Sequence, residues 1–265
     1  MNILAIDTAT EVLSVALSVG SGGSRITAPA SGSAKSAASR RLYSVTRDVG
    51  LRHTRLLMPL VGALLSETGL TARDLDLVAC MRGPGSFTGL RIGMSTAKGL
   101  AAAIASVRQM SAPPLVSIPT LEVMAHAVPA GRSLIVPVID GRKNRFYATV
   151  FRAGQRLTED LDLDAGAIMK RVMGFAETAG AGDREEIPGF PEIVITGPHA
   201  ALFHTRIDSP SHVLIDPCSR RGHAQTLLPL AMAVYSEVGP DSAGQGPVYI
   251  RGSDAEMQTQ SPDRD

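Results

Sequence analysis

The chain has 265 residues, 44% of them apolar, with 26 Lys and Arg against 25 Asp and Glu. It can bury a sizeable core at a length that one large domain or two small ones would fill. The charge balance excludes a molecule that holds nucleic acid by its own field. Two cysteines, Cys80 and Cys218, make neither a disulfide framework nor a zinc site.

No stretch approaches the ~18 apolar residues of a membrane span. The N-terminus carries Asp7 and Glu11 within its apolar run and lacks a basic signal-peptide start, so a cytoplasmic protein that contacts no membrane is expected. Residues 2–8 and 12–19 are rich in β-branched and apolar side chains and predict an antiparallel hairpin. Asp7 and Thr8 close its first strand. An acid followed by hydroxyls at such a place suits phosphate handling, although Asp and Thr are also common turn formers and Ala9 stands where such loops favour glycine.

Residues 20–41 are Gly, Ser and Ala with Arg25, Lys35, Arg40, Arg41 and one bulky aliphatic, Ile26. They cannot bury enough to order themselves and predict a surface insertion. A third strand is expected at 42–45. From His53 to Gly69 apolar residues fall at 56, 57, 60, 61, 64 and 65, a helix with two faces to bury. Gly69 suits its C-terminal stop, and Pro59 should kink the first turns or shift the start toward Leu57. His53 has no second ligand at helical spacing and reads as a capping or packing residue.

The strand at 75–80 feeds Gly83-Pro-Gly-Ser-Phe-Thr-Gly-Leu-Arg-Ile-Gly93, a sharp turn into a long helix. That helix carries two ridges of small residues: Gly89, Gly93 and Ala97 on one, Ser95, Gly99 and Ala102 or Ala103 on the other. Each interior glycine costs about 1 kcal/mol against alanine. Close approach of a backbone on each side would compensate. One side is the helix's own sheet; the other is either another chain or a second helix of the same domain.

Pro113-Pro114 break the chain, 115–118 form a strand, and Pro119 opens a short helix to Ala127. A strand at 134–139 turns at Asp140–Arg145 into another at 146–151. This second hairpin echoes the first and predicts a duplicated α/β architecture, with domains 1–108 and 109–265. Residues 174–191 read as a second insertion. Strands at 193–196 and 213–215 and a helix at 223–238 follow, and the tail 252–265 is expected to fray.

The spacing Gly83-x-Gly85-x-x-x-Gly89 resembles a loose dinucleotide fingerprint. It makes Gly83, Gly85, Ser86 and Gly89, with Asp7 and Thr8, the candidates for a nucleotide or phosphate. No acid for a ribose lies between Asp76 and Glu122, however, and an NADP variant would have to lean on Arg108. Leu90 and Arg91 replace the Walker lysine and hydroxyl. There is no H-E-x-x-H and no G-x-S-x-G, and the six histidines form no pair at helical spacing. The residues read as a protein that binds rather than one that reacts.

Several stretches together resemble the TsaB family: Ile3-Leu-Ala-Ile-Asp-Thr-Ala-Thr10, His53-Thr-Arg-Leu-Leu-Met-Pro, Gly83 to Leu100, Asp140-Gly-Arg142 with Phe146-Tyr147, and Pro247-Val-Tyr-Ile-Arg251. That family is the non-catalytic subunit of the bacterial machinery that makes threonylcarbamoyladenosine at position 37 of tRNAs reading ANN codons. The resemblance implies a two-domain actin-like ATPase fold (ASKHA, shared with Hsp70 and sugar kinases). It implies pairing through the N-terminal domain with the catalytic subunit TsaD, recruitment of the P-loop ATPase TsaE, a homodimer when alone, and tRNA met only through the complex.

Carried over by position, Leu57, Leu60, Val61, Leu64, Arg91, Met94, Thr96 and Lys98 would face a partner. No catalytic residue or intrinsic cofactor is implied, and ATP or ADP and a divalent metal belong only to the complex. The catalytic relative holds metal through paired histidines on the helix that starts here at His53; Leu57 stands at the second position, so the metal site is lost. Gly141 departs from the family's usual Ala. Two alternatives remain: an ATP-dependent phosphotransferase using Asp7 and Thr8, and a glycoprotease-like hydrolase, for which no residue speaks.

Overall fold

The structure, a computed structural model, describes residues 1–20, 40–109, 111–129, 131, 133–178, 193–208 and 213–251. Strand β1 (Ile3–Asp7) pairs antiparallel with β2 (Val12–Gly20), which pairs antiparallel with β3 (Arg40–Asp48). Helix α1 (His53–Thr68) leads to β4 (Leu77–Gly83), parallel to β1; α2 (Phe87–Arg108) leads to β5 (Leu115–Pro119), parallel to β4. The sheet order is β3-β2-β1-β4-β5.

The pattern then repeats. After α3 (Thr120–His126), β6 (Leu134–Asp140) pairs antiparallel with β7 (Phe146–Ala148), the short β8 (Phe151–Arg152) and β9 (Gln155–Arg156) follow, and β10 (Leu161–Leu163) pairs antiparallel with β7. Helix α4 (Ala165–Thr178), β11 (Ile193–Thr196), α5 (Ala200–His204) and β12 (Val213–Ile215) complete the order β10-β7-β6-β11-β12, with β11 and β12 parallel to β6. Both sheets thus run third, second, first, fourth, fifth, with the same senses. This is the duplicated actin-like α/β architecture.

Alternation along the strands of the first sheet divides its core into two layers. Leu4, Ile6, Leu13, Val15, Val78 and Cys80 point to α1 and α2, where they meet Leu57, Val61, Leu64, Met94, Ala97 and Ile104. Ile3, Ala5, Ala16, Leu77 and Ala79 point the other way, to α6 (Ala224–Glu237) with its Leu227, Leu228 and Ala231. A sheet apolar on both faces must be covered on both. The first 108 residues cover one face, so the chain returns at its end to cover the other. The expected division at 108 is corrected accordingly: β5 and α6 belong to the first sheet.

Local expectations are corrected in three places. Nine register pairs extend β3 from Arg40, so Gly20, Arg40 and Arg41 are strand rather than insertion; residues 21–39 lie outside the described ones. Gly174 to Thr178 continue α4 instead of opening the second insertion, whose residues 179–192, like the tail 252–265, lie outside the described ones. Pro59 neither shifts nor ends α1, because it sits on the exposed side, where water can serve the Arg55 carbonyl that lost its N–H partner.

The glycines of α2 divide as their spacing implies. A Cβ on Gly89 would collide with the Thr8 carbonyl and one on Gly93 with the Thr8 hydroxyl, whereas nothing among the described residues lies within 4 Å of a Cβ on Gly99. In urea unfolding of the isolated chain, Gly89→Ala should therefore cost about 1–3 kcal/mol by overpacking. Gly99→Ala should gain up to about 1 kcal/mol of helix propensity. Equal effects at the two positions would contradict this packing.

Candidate docking face and interdomain cleft

The sequence places eight residues of α1 and α2 toward a partner, and the structure turns four of them inward. Leu57 is 1% exposed and Met94 3%, and Val61 and Leu64 are buried with them in the first domain's own core. Leu60 and Thr96 are half-buried. Lys98 Nζ donates to the carbonyls of Ala243 (2.9 Å) and Gln245 (2.6 Å), and the exposed Arg91 donates through Nε to the Tyr249 hydroxyl (2.9 Å). The apolar spacing of α1 had to serve the sheet before anything else, which is why those positions are core.

The outward face of the two helices is different. On α1 it presents Met58, 48% exposed, with Gly62 and Ala63; on α2 it presents Ser95, Gly99 and Ala102. Nothing among the described residues lies within 4 Å of a Cβ on Gly62 or Gly99. Two helix glycines that earn no packing inside the chain flatten one surface, onto which another backbone could come close. The signal was present in the Ser95, Gly99, Ala102 spacing, but the Gly62-Ala63 pair on α1 was missed.

At the turns above the sheets, the candidate phosphate residues are occupied by the fold. The buried Asp7 accepts the Ala9 N–H (3.1 Å) and the His223 N–H (3.2 Å), and His223 Nδ1 lies 3.6 Å away. Its carboxylate thus fixes the start of α6. Thr8 Oγ1 donates to the Gly89 carbonyl (2.7 Å). Ser86 N–H donates to the Ala9 carbonyl (2.7 Å), and its hydroxyl caps α2 at Gly89 N–H (3.2 Å). Gly83, at φ +115°, lies against the Val248 carbonyl. Asp7, Thr8, Gly83 and Gly89 thus serve internal contacts, and of the six candidates Gly85 and Ser86 line the cleft between the domains.

That cleft has a volume of about 560 Å³ and is lined by Glu11 and His53 from the first domain, Asp140, Arg142 and His199 from the second, and Arg251. His53 is buried with no partner at Nε2. Burial pushes its pKa below the ordinary histidine value, outweighing the Thr10 backbone and the charges of Asp7 and Glu11. Burial likewise lowers His199, against the pull of Glu11 (3.5 Å) and Asp140. Leu57, one turn after His53, is a core side chain, and among the described residues no group of three or more His, Cys, Asp or Glu could hold an ion. No helix among them is long and apolar enough to cross a membrane.

A family model described as tRNA N6-adenosine threonylcarbamoyltransferase, TsaD, matches residues 45–196. The chain is 33% identical over 149 residues to the Escherichia coli K12 protein named tRNA threonylcarbamoyladenosine biosynthesis protein TsaB, covering 56% of this chain and 53% of the relative. It is 29% identical over 117 residues to the Bacillus subtilis protein of the same name, covering 44% and 48%. The chain spans about half the length of the curated relatives it matches. A Pseudomonas aeruginosa crystal structure, described as an uncharacterized protein with similarity to peptidase YEAZ, superposes with a TM-score of 0.66 at 24% identity over 94% of this chain and 99% of that one, and shares the fold.

Because the native His53 resists protonation while the unfolded chain does not, stability should fall as pH drops through the ordinary histidine range and level off above it. His199 acts in the same sense. Urea midpoints should be lower at pH 5.5 than at pH 7.5, and His53→Gln should shrink that difference; an unchanged difference would contradict the assignment.

Proposed function

This chain belongs to the TsaD–TsaB family of tRNA threonylcarbamoyladenosine proteins, and from that premise we propose that it is a non-catalytic scaffold subunit of a bacterial complex that makes this modification at tRNA position 37. Its α1–α2 outer face docks and activates the TsaD transferase subunit. The observation that carries the reading is the outward glycine pair: Gly62 and Gly99 weaken their helices and meet nothing among the described residues. Close helix-to-helix approach would offset that cost.

The commitment of Asp7, Thr8 and Gly89 to internal bonds supports a scaffold over a phosphotransferase, since neither the carboxylate nor the hydroxyl is turned to the cleft. On this reading the isolated chain pairs with itself through the same face. TsaE, tRNA, ATP or ADP and any divalent metal enter with the assembled complex.

Gly99→Arg places a long cation at the centre of the face without touching the core. It should weaken association with the transferase by at least about 2 kcal/mol, the scale of a central interface residue, and leave the thermal midpoint of the isolated chain no lower, since arginine is a better helix former than glycine. Light scattering of the mixed proteins reads the association, and a reconstituted tRNA modification assay with this chain omitted reads the activation. Full association by Gly99→Arg would place docking elsewhere.

A further inference from the structure

We infer that residues 241–251 form a brace that sets the width of the interdomain cleft, anchored on the second domain at Asp162. After α6 the chain runs back along the first domain with neither helix nor strand, yet it is tied there at intervals. Asp241 N–H donates to the Leu115 carbonyl (2.8 Å), and Lys98 clasps the Ala243 and Gln245 carbonyls. Val248 N–H donates to the Arg82 carbonyl (2.7 Å) beside Gly83, where a side chain would strike the Val248 carbonyl. The Tyr249 ring packs 4.7 Å from that of Phe87, over which the Arg91 guanidinium lies at 3.7 Å.

Two residues later the segment reaches the other domain. Arg251 Nη2 donates to Asp162 Oδ1 (2.8 Å) and Oδ2 (3.0 Å), and its Nε donates to Oδ2 (3.1 Å). Arg145 Nε donates to Oδ1 of the same carboxylate (2.8 Å). Asp162 is held by its pairing with Tyr147 across β10 and β7. A bidentate guanidinium–carboxylate pair with a second guanidinium is directional and strong, and here its partners are only 19% and 16% exposed.

Its position makes it a brace. The chain passes between the two sheets after β5 and again before α6, and Arg221 staples those crossings by binding both Asp216 and the Ala127 carbonyl. Neither crossing lines the cleft, whereas Val248 to Arg251 do. Rotation about the crossings would open or close the cleft, and the segment spans it. A second ionic link, Arg220 to Glu11 (3.1 Å) and Asp48 (2.5 Å), also joins the domains, but with Arg220 50% and Asp48 61% exposed it is screened by solvent and salt. The Asp162 anchor therefore sets the width.

The test uses the isolated full chain, with the labelled protein diluted into an excess of unlabelled chain so that only distances within one chain are read, and its outcome does not depend on the docking reading. Spin labels at Leu51→Cys on the cleft lip and Ala201→Cys on the second domain, in a Cys218→Ser background, report the width by electron–electron resonance distances. Asp162→Asn should lengthen the mean distance, broaden the distribution by about twofold, and speed exchange of the Val248 amide by at least about tenfold. Arg251→Gln should do the same while leaving Arg145 on Asp162, so the second domain keeps its own ion pair. Asp160→Asn, which removes a carboxylate bonded to Thr149 and Arg156 within the second domain, should change neither readout. A parental distance distribution in both Asp162→Asn and Arg251→Gln would overturn the proposal.

Discussion

The contact on which the rest depends is the close approach of α2 to the first hairpin turn. Gly89 and Gly93 let the helix backbone lie directly on Thr8, whose hydroxyl donates to the Gly89 carbonyl. A side chain at either position would lift the helix from the sheet. Seated this way, the helix places Met94, Ala97 and Ile104 in the core and brings Ser86 under the Ala9 carbonyl. It also turns Ser95, Gly99 and Ala102 outward. One packing event thus builds the core, fills the turn and prepares the outer face.

The same contact explains why a turn with the look of an anion site is a structural joint. Asp7 and Thr8 end a buried strand, where an acid and a hydroxyl are costly unless paired. Here one fixes the N-terminus of α6 and the other fixes α2. The cleft persists between the domains, but the first-domain residues facing it include a neutral, buried imidazole rather than a paired metal ligand. At that turn the carboxylate and the hydroxyl are both taken up by the fold's own backbone.

The order of elements was legible in the sequence because the signals are local. Apolar, β-branched runs marked the strands of both hairpins, and their echo marked the duplication. Gly69 at φ +69° stops α1 at the position its type implies. The faces were harder to read. An apolar residue at helical spacing serves a sheet or a partner equally well, so Leu57, Val61, Leu64 and Met94 could be placed outward from sequence but lie inward. Small residues are the better guide, since a glycine inside a helix needs a neighbour to justify it, and Gly62 and Gly99 have none among the described residues. Long-range facts were not legible: α6 returning to the first sheet, Asp7 meeting His223, and Arg251 reaching Asp162 all join residues far apart in sequence, with no local period to announce them.

The central claim is that the outer face of α1 and α2 is where the transferase subunit docks. Hydrogen exchange of this chain with and without that subunit tests it most directly, because it maps protection without altering any residue. Slower exchange confined to residues 58–66 and 95–106, with β3 and α6 unchanged, is the predicted result. Protection that falls on β3, α6 or the second domain and spares those two helices would contradict it.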